Sequence, residues 1–156
     1  MLTTIEIQKM MKQLLRYILL SVAFISVNVA AQDNVELVAQ CAASAGDVTY
    51  LKDFVVTLDA GTPGGIPPKA KFSVVLSKST QYRFSVCNAP TSEGEAVLQL
   101  YDMNVLMGTT YLENTGKDYP YFDFKCQKTG VYHIFISFKE GKPGNAVSVL
   151  SFVKKL

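Results

Sequence analysis

From Tyr50 onward the chain is built from short runs in which large apolar residues alternate with polar ones. Period-2 runs of this kind fold as half-buried β-strands, because successive side chains leave a strand on opposite faces. Tyr82, Phe84 and Val86 oppose Arg83 and Ser85, and Phe122, Phe124 and Cys126 oppose Asp123 and Lys125. Tyr132, Ile134, Ile136 and Phe138 oppose His133 and Ser137. Strands are predicted near 50–58, 71–77, 80–88, 96–102, 106–112, 119–127, 131–139 and 146–154. Gly, Pro and Asn clusters break the runs at Gly61–Pro68, Asn88–Glu95, Lys128–Gly130 and Glu140–Asn145. Glycine supplies left-handed backbone there, and proline removes a ladder donor. About eight short strands at this spacing predict an all-β, antiparallel sandwich.

The first 31 residues follow a different pattern. Lys9, Lys12 and Arg16 precede the apolar run Tyr17–Ile25, and Val29, Ala30 and Ala31 are small or compact. A basic segment, an apolar segment and a small-residue site make a secretory signal peptide, with cleavage expected between Ala31 and Gln32. The apolar run falls short of the roughly 20 residues that a membrane-spanning helix needs, and no stable span is expected after cleavage. Met10 and Met11 are alternative starts that would give a tidier leader. The expected organisation is a signal peptide over 1–31, a mature N-terminal segment over 32–49 and a sandwich over 50–156. In the middle segment Val35, Val38, Ala39 and Ala42 are spaced for one helical face, with Gly46 as a stop. A short helix and a flexible terminus both fit that stretch. The address is therefore the periplasm or the cell surface.

The chain carries 15 Lys+Arg against 13 Asp+Glu, and the leader holds Lys9, Lys12 and Arg16 against Glu6 alone. Cleavage leaves a mature part with no net charge, which excludes broad electrostatic attraction to nucleic acid. Cys41, Cys87 and Cys126 all survive cleavage. In an oxidising compartment an odd count allows one intramolecular bridge and leaves one thiol. The expected bridge is Cys87–Cys126, since each ends an apolar β-like run; the alternative is buried free thiols. Closing that loop of about 39 residues is worth roughly 3–4 kcal/mol in the chain-entropy model. Cys41 matches a lipoprotein cysteine only loosely, with Gln40 before it where a small residue belongs.

Three segments in order carry a resemblance: Gln81–Val86, Ala96–Asn104 and Thr129–Ile136. Their patterns, "Y-x-F-x-V", "L-x-L-Y-D-x-N" and "T-G-x-Y-x-I-x-I", resemble the bacterial pre-peptidase C-terminal domain over roughly residues 70–154. The resemblance implies an eight-stranded jelly-roll-like sandwich, appended in that family to secreted proteases and other exported proteins. Here the module would be the whole mature protein, and the acidic cluster that holds calcium in some relatives is not evident. The chain also resembles small exported proteins of Bacteroidetes-type bacteria. Its basic C-terminus, Val153–Lys155, faintly resembles a type IX sorting segment.

Candidate sites are sparse. Asp102 and Asn104 offer hard oxygens to calcium, but calcium takes six to eight ligands. The alternative is that both shape the turn after a strand. His133 is the only histidine, and nucleophilic catalysis needs a nucleophile beside it and a third group orienting it. Glu93 and Glu95 flank Gly94 and read as solvated loop charges. Tyr111, Tyr119 and Tyr121 are the candidates for an exposed aromatic platform facing a glycan or peptide. The expected function is that of an exported, non-enzymatic binding or assembly module with an envelope protein or glycan as partner. The alternative is an accessory subunit of a secreted hydrolase, and no cofactor is expected beyond the calcium candidate.

Overall fold

The computed structural model describes residues Val29–Leu156, with Gln8 and Gln13 as isolated positions before them and side chains from Asn34 onward within that span. The signal segment lies outside the described residues, apart from backbone around Ala31 and Gln32. Asn34–Leu156 forms one compact unit.

Among the described residues ten strands follow one α-helix, α1 (Val29–Ser44). They are β1 (Thr49–Leu58), β2 (Lys69–Leu76), β3 (Thr80–Asn88), β4 (Ala96–Asp102) and β5 (Val105–Thr109), then β6 (Tyr111–Leu112), β7 (Lys117–Asp118), β8 (Tyr121–Cys126), β9 (Gly130–Phe138) and β10 (Gly144–Lys155). One sheet has the order β1-β10-β3-β8, the second β2-β9-β4-β5, and β6 pairs with β7 in a small hairpin. Every pairing is antiparallel. The pairs β1:β10, β2:β9, β3:β8 and β4:β5 are nested, so the chain is one long hairpin rolled on itself. Rolling adds the pairings β10:β3 and β9:β4 and closes a jelly roll.

The alternation read from sequence decides which face is buried. Phe54, Leu76, Phe84, Leu98, Leu100, Ile134 and Ile136 point between the sheets and form the core. Phe84 stacks on Phe122 with centroids 5.4 Å apart, and Phe124 meets Tyr132 edge-on at 5.4 Å. Ten-ångström sheet packing requires interdigitated apolar side chains of this size.

From Leu37 onward α1 lies on the outer face of the first sheet. Leu37 and Cys41 pack with Val147, Val149 and Ala89, and Ala45 is buried just past the helix end. The buried row is therefore Leu37–Cys41–Ala45, flanked by Val38 and Ala42. The expected face is turned by a fraction of a turn, since Val35 is 71% exposed. The helix stops at Ser44, and Gly46 takes φ +83°, which an L side chain adopts only with strain. Arg83 on β3 then donates to the Ala45 carbonyl at 2.7 Å, satisfying an end that the helix leaves open.

The disulfide joins Cys41 to Cys87, not Cys87 to Cys126. Two features of the sheet forbid the expected bridge. Cys126 lies opposite Thr80, at the far end of β3 from Cys87, and seven residues of strand span about 23 Å. The two side chains also face opposite ways: Cys126 belongs to the core, while Cys87 packs with the helix-facing cluster. A bridge needs Cα atoms within about 7 Å. Cys126 remains a buried free thiol. Its Sγ and the Tyr132 hydroxyl both donate to the Lys128 carbonyl, at 3.1 and 2.9 Å. Burial, and then the hydrogen bond with Cys126, push the Tyr132 phenol up to about 12.

Candidate binding face

The three tyrosines expected as a platform do not share a surface. Tyr121 opens β8 on the outer face of the first sheet, where the Arg83 guanidinium sits 3.9 Å from its ring centroid. That guanidinium also forms a two-point ion pair with Asp123, at 2.7 and 2.9 Å. The hydrogen bond from Arg83 holds the Asp123 carboxyl below its ordinary range, with Gln81 adding a further bond. Tyr111 opens β6 and Tyr119 follows β7, at the β6–β7 hairpin instead. The Lys139 ammonium caps the Tyr111 ring at 4.4 Å, and the Lys117 ammonium lies 4.9 Å from the Tyr119 ring. Lys139 also bonds Asp118 at 2.5 Å and Glu95 at 2.7 Å. Those bonds, Asp118 first, raise its pKa. Glu95 thus ties the loop before β4 to the turn after β9, while Glu93 is exposed.

Asp102 ends β4 and Met103 turns the chain with φ +51°, leaving Asn104 exposed. Asp102 lies 4.0 Å from the Lys128 ammonium. Among the described residues no three His, Cys, Asp or Glu side chains converge as metal ligands.

His133 has a neighbour that the sequence did not suggest. Its Nδ1 is 3.0 Å from Ser73 Oγ on the adjacent strand β2, where the register pairs the two residues. Among the described residues no carboxylate hydrogen-bonds the imidazole. The pair lies on the outer face of the second sheet.

That face distinguishes the two sides of the sandwich. The first sheet is covered by α1, whereas the second is covered at one end only, where Tyr111, Glu113 and Lys139 stand beside Val97. Across its centre the register runs Tyr101–His133–Ser73, and in the next row Gln99–Phe135–Lys71. Lys69 and Lys71 place their ammoniums 5.3 and 5.6 Å from the Phe135 ring centroid, and Tyr101 meets that ring edge-on at 5.4 Å. A cleft of about 280 Å³ opens at each end of the face. One is lined by Asp102, Met103, Lys128, Val131 and His133. The other is lined by Val97, Gln99, Tyr111, Glu113, Ser137 and Lys139. His133 lines one cleft and Ser137 the other, four residues apart on β9, so the clefts are separated by about 13 Å with Phe135 between them.

Sequence reasoning missed Phe135, Lys69, Lys71 and Tyr101. The available signal was Phe135 itself, a large aromatic in phase with His133 and Ser137 rather than with the buried set.

No protein-family model matches the chain, and no curated protein matches it. Among solved structures it is similar to Aeromonas hydrophila PliG, a periplasmic lysozyme inhibitor of g-type lysozyme. That likeness is 6% identical and covers 67% of this chain and 88% of PliG, with a TM-score of 0.49. The chain is also similar to the pre-peptidase C-terminal domain of collagenase from Bacillus anthracis. Identity there is 12%, over 66% of this chain and 90% of that domain, with a TM-score of 0.48. Among the described residues no helix is long and apolar enough to cross a membrane.

Proposed function

We propose that the chain works outside the cytoplasm as a non-enzymatic β-sandwich module that binds a component of the bacterial envelope through the outer face of its second sheet. The observation that carries this reading is the asymmetry of the sandwich. One outer face is closed by a disulfide-tethered helix, and the other presents Tyr101 and Phe135 beside two lysines. Aromatic side chains held on a rigid sheet give contact area at low cost in ordering, which suits recognition. The Cys41–Cys87 bridge supports export, because disulfides persist in oxidising compartments.

The test is co-sedimentation of the purified protein with isolated native envelopes. Gln99→Glu places a carboxylate in the middle of the face, and Tyr50→Ser changes an exposed residue of the first sheet. The first variant should lose most retention and the second should keep it. Equal retention of all three proteins would refute the face. N-terminal sequencing of the exported protein should begin at or close to Gln32, and any distant start would overturn the cleavage site.

A further inference from the structure

We infer that the centre of the second sheet's outer face is a site for an acidic polysaccharide, with its carboxylate or sulfate groups held by Lys69 and Lys71; the inference rests on the binding-face reading above. Two ammoniums approach one aromatic ring, Phe135, from the same strand. Cation–π attraction holds each there, while their mutual repulsion goes uncompensated. Among the described residues neither lysine has a carboxylate within 4.0 Å. The side chains around them are an amide (Gln99), hydroxyls (Ser73, Ser137, Tyr101) and an imidazole (His133). The face's nearest carboxylates belong to its two ends: Asp102 beside Lys128 at one, Glu113 and Glu140 at the other. The middle of the track is thus rich in hydrogen-bond donors and free of negative charge, which is complementary to an anion.

The shape and the backbone argue for a polysaccharide over a polypeptide. β9 and β4 are interior strands, each paired on both sides, so their N–H and C=O groups are spent in the sheet. A peptide laid along the track would find no main-chain partners, and its own amides would lose water without replacement. A sugar chain brings hydroxyls and ring oxygens, which the side-chain amide, hydroxyls and imidazole can meet. Two clefts about 13 Å apart along one strand, each extending the track outward, accommodate a short extended run of sugar units.

Calorimetric titration of the purified protein with polygalacturonate and dextran sulfate tests this, with dextran as neutral polysaccharide and poly-L-glutamate as acidic polypeptide. At least one acidic polysaccharide should bind, and dextran and poly-L-glutamate should bind at least tenfold more weakly. Lys69→Glu/Lys71→Glu should weaken binding at least tenfold, and binding should fall as salt rises. Lys69→Ser/Lys71→Ser replaces it if the charge reversal fails to fold. No binding to either acidic polysaccharide, equal binding of poly-L-glutamate, or an indifferent lysine variant would overturn the inference. If polysaccharide binding fails while envelope retention still depends on Gln99, the ligand class falls and the binding face stands. If both fail, both fall.

Discussion

Removing the Cys41–Cys87 bridge should destabilise the protein by an amount that its place in the chain sets. The bridge spans 46 residues of sequence, from the middle of α1 to the end of β3. In the chain-entropy model a loop of that length is worth about 4 kcal/mol through the unfolded state. For a cooperative unit of about 120 residues, the unfolding entropy near the midpoint is about 0.26 kcal/mol/K, so the midpoint should drop by about 15 °C. The perturbation is Cys41→Ala/Cys87→Ala, beside the wild type reduced with dithiothreitol. Denaturant unfolding followed by circular dichroism gives the stability, and its m-value should rise as the released unfolded chain exposes more surface.

The prediction assumes that α1 and the sandwich unfold together. Leu37, Val38 and Ala42 support this, because their packing on Val147 and Val149 remains when the sulfurs are gone. Hydrogen exchange separates the alternatives. If α1 amides open freely in the variant while the sandwich keeps its midpoint, the helix is not part of the cooperative unit. A stability loss below about 1 kcal/mol would likewise refute the reasoning. Alkylation of the unreduced protein should label no thiol when native and one thiol, Cys126, when unfolded, since Cys126 is only 1% exposed.

Arg83→Met should cost about 1–3 kcal/mol in chemical denaturation, because it removes a partly exposed ion pair, the bond to the Ala45 carbonyl and the stack on Tyr121. Asp123 has a lowered folded-state pKa, so its contribution is present above the unfolded carboxylate pKa near 4 and is lost as pH falls below that value. The wild type should therefore lose stability more steeply than Arg83→Met as pH falls below about 4. Ser148 is fully buried in the sheet-to-sheet packing and among the described residues its hydroxyl has no hydrogen-bond partner, so Ser148→Ala should raise stability by up to about 1 kcal/mol; a loss above 1 kcal/mol would mean that the hydroxyl is satisfied. A fluorophosphonate probe should leave Ser73 unlabelled despite the nearby imidazole, because among the described residues no carboxylate orients His133. Labelling that His133→Ala abolishes would make the chain a hydrolase.

Period-2 alternation is local, and it sufficed to place the strands and the sandwich. Tyr82, Phe84 and Val86 face inward as their spacing requires, and so do Phe122, Phe124 and Cys126. The same parity held the answer for the cysteines: Cys87 falls in phase with Arg83 and Ser85, and Cys126 falls in the opposite, buried set. Two cysteines that end neighbouring strands still stand at opposite ends when those strands are antiparallel, and that direction is a property of the fold. The helix was one of two readings that fit its stretch, and its buried row depends on where Cys41 must sit to reach Cys87. The binding face is less legible again, because Lys71 meets Phe135 through the pairing of β2 with β9, with β3 through β8 lying between them in the chain. One local trace survives in Phe135, an aromatic on the solvent side of a strand whose buried side is already complete. Core packing does not require a large ring at that position, so its contact area is available to something outside the chain. That is the reason to direct the binding experiments to Phe135 and its two lysines rather than to the tyrosines of the loops.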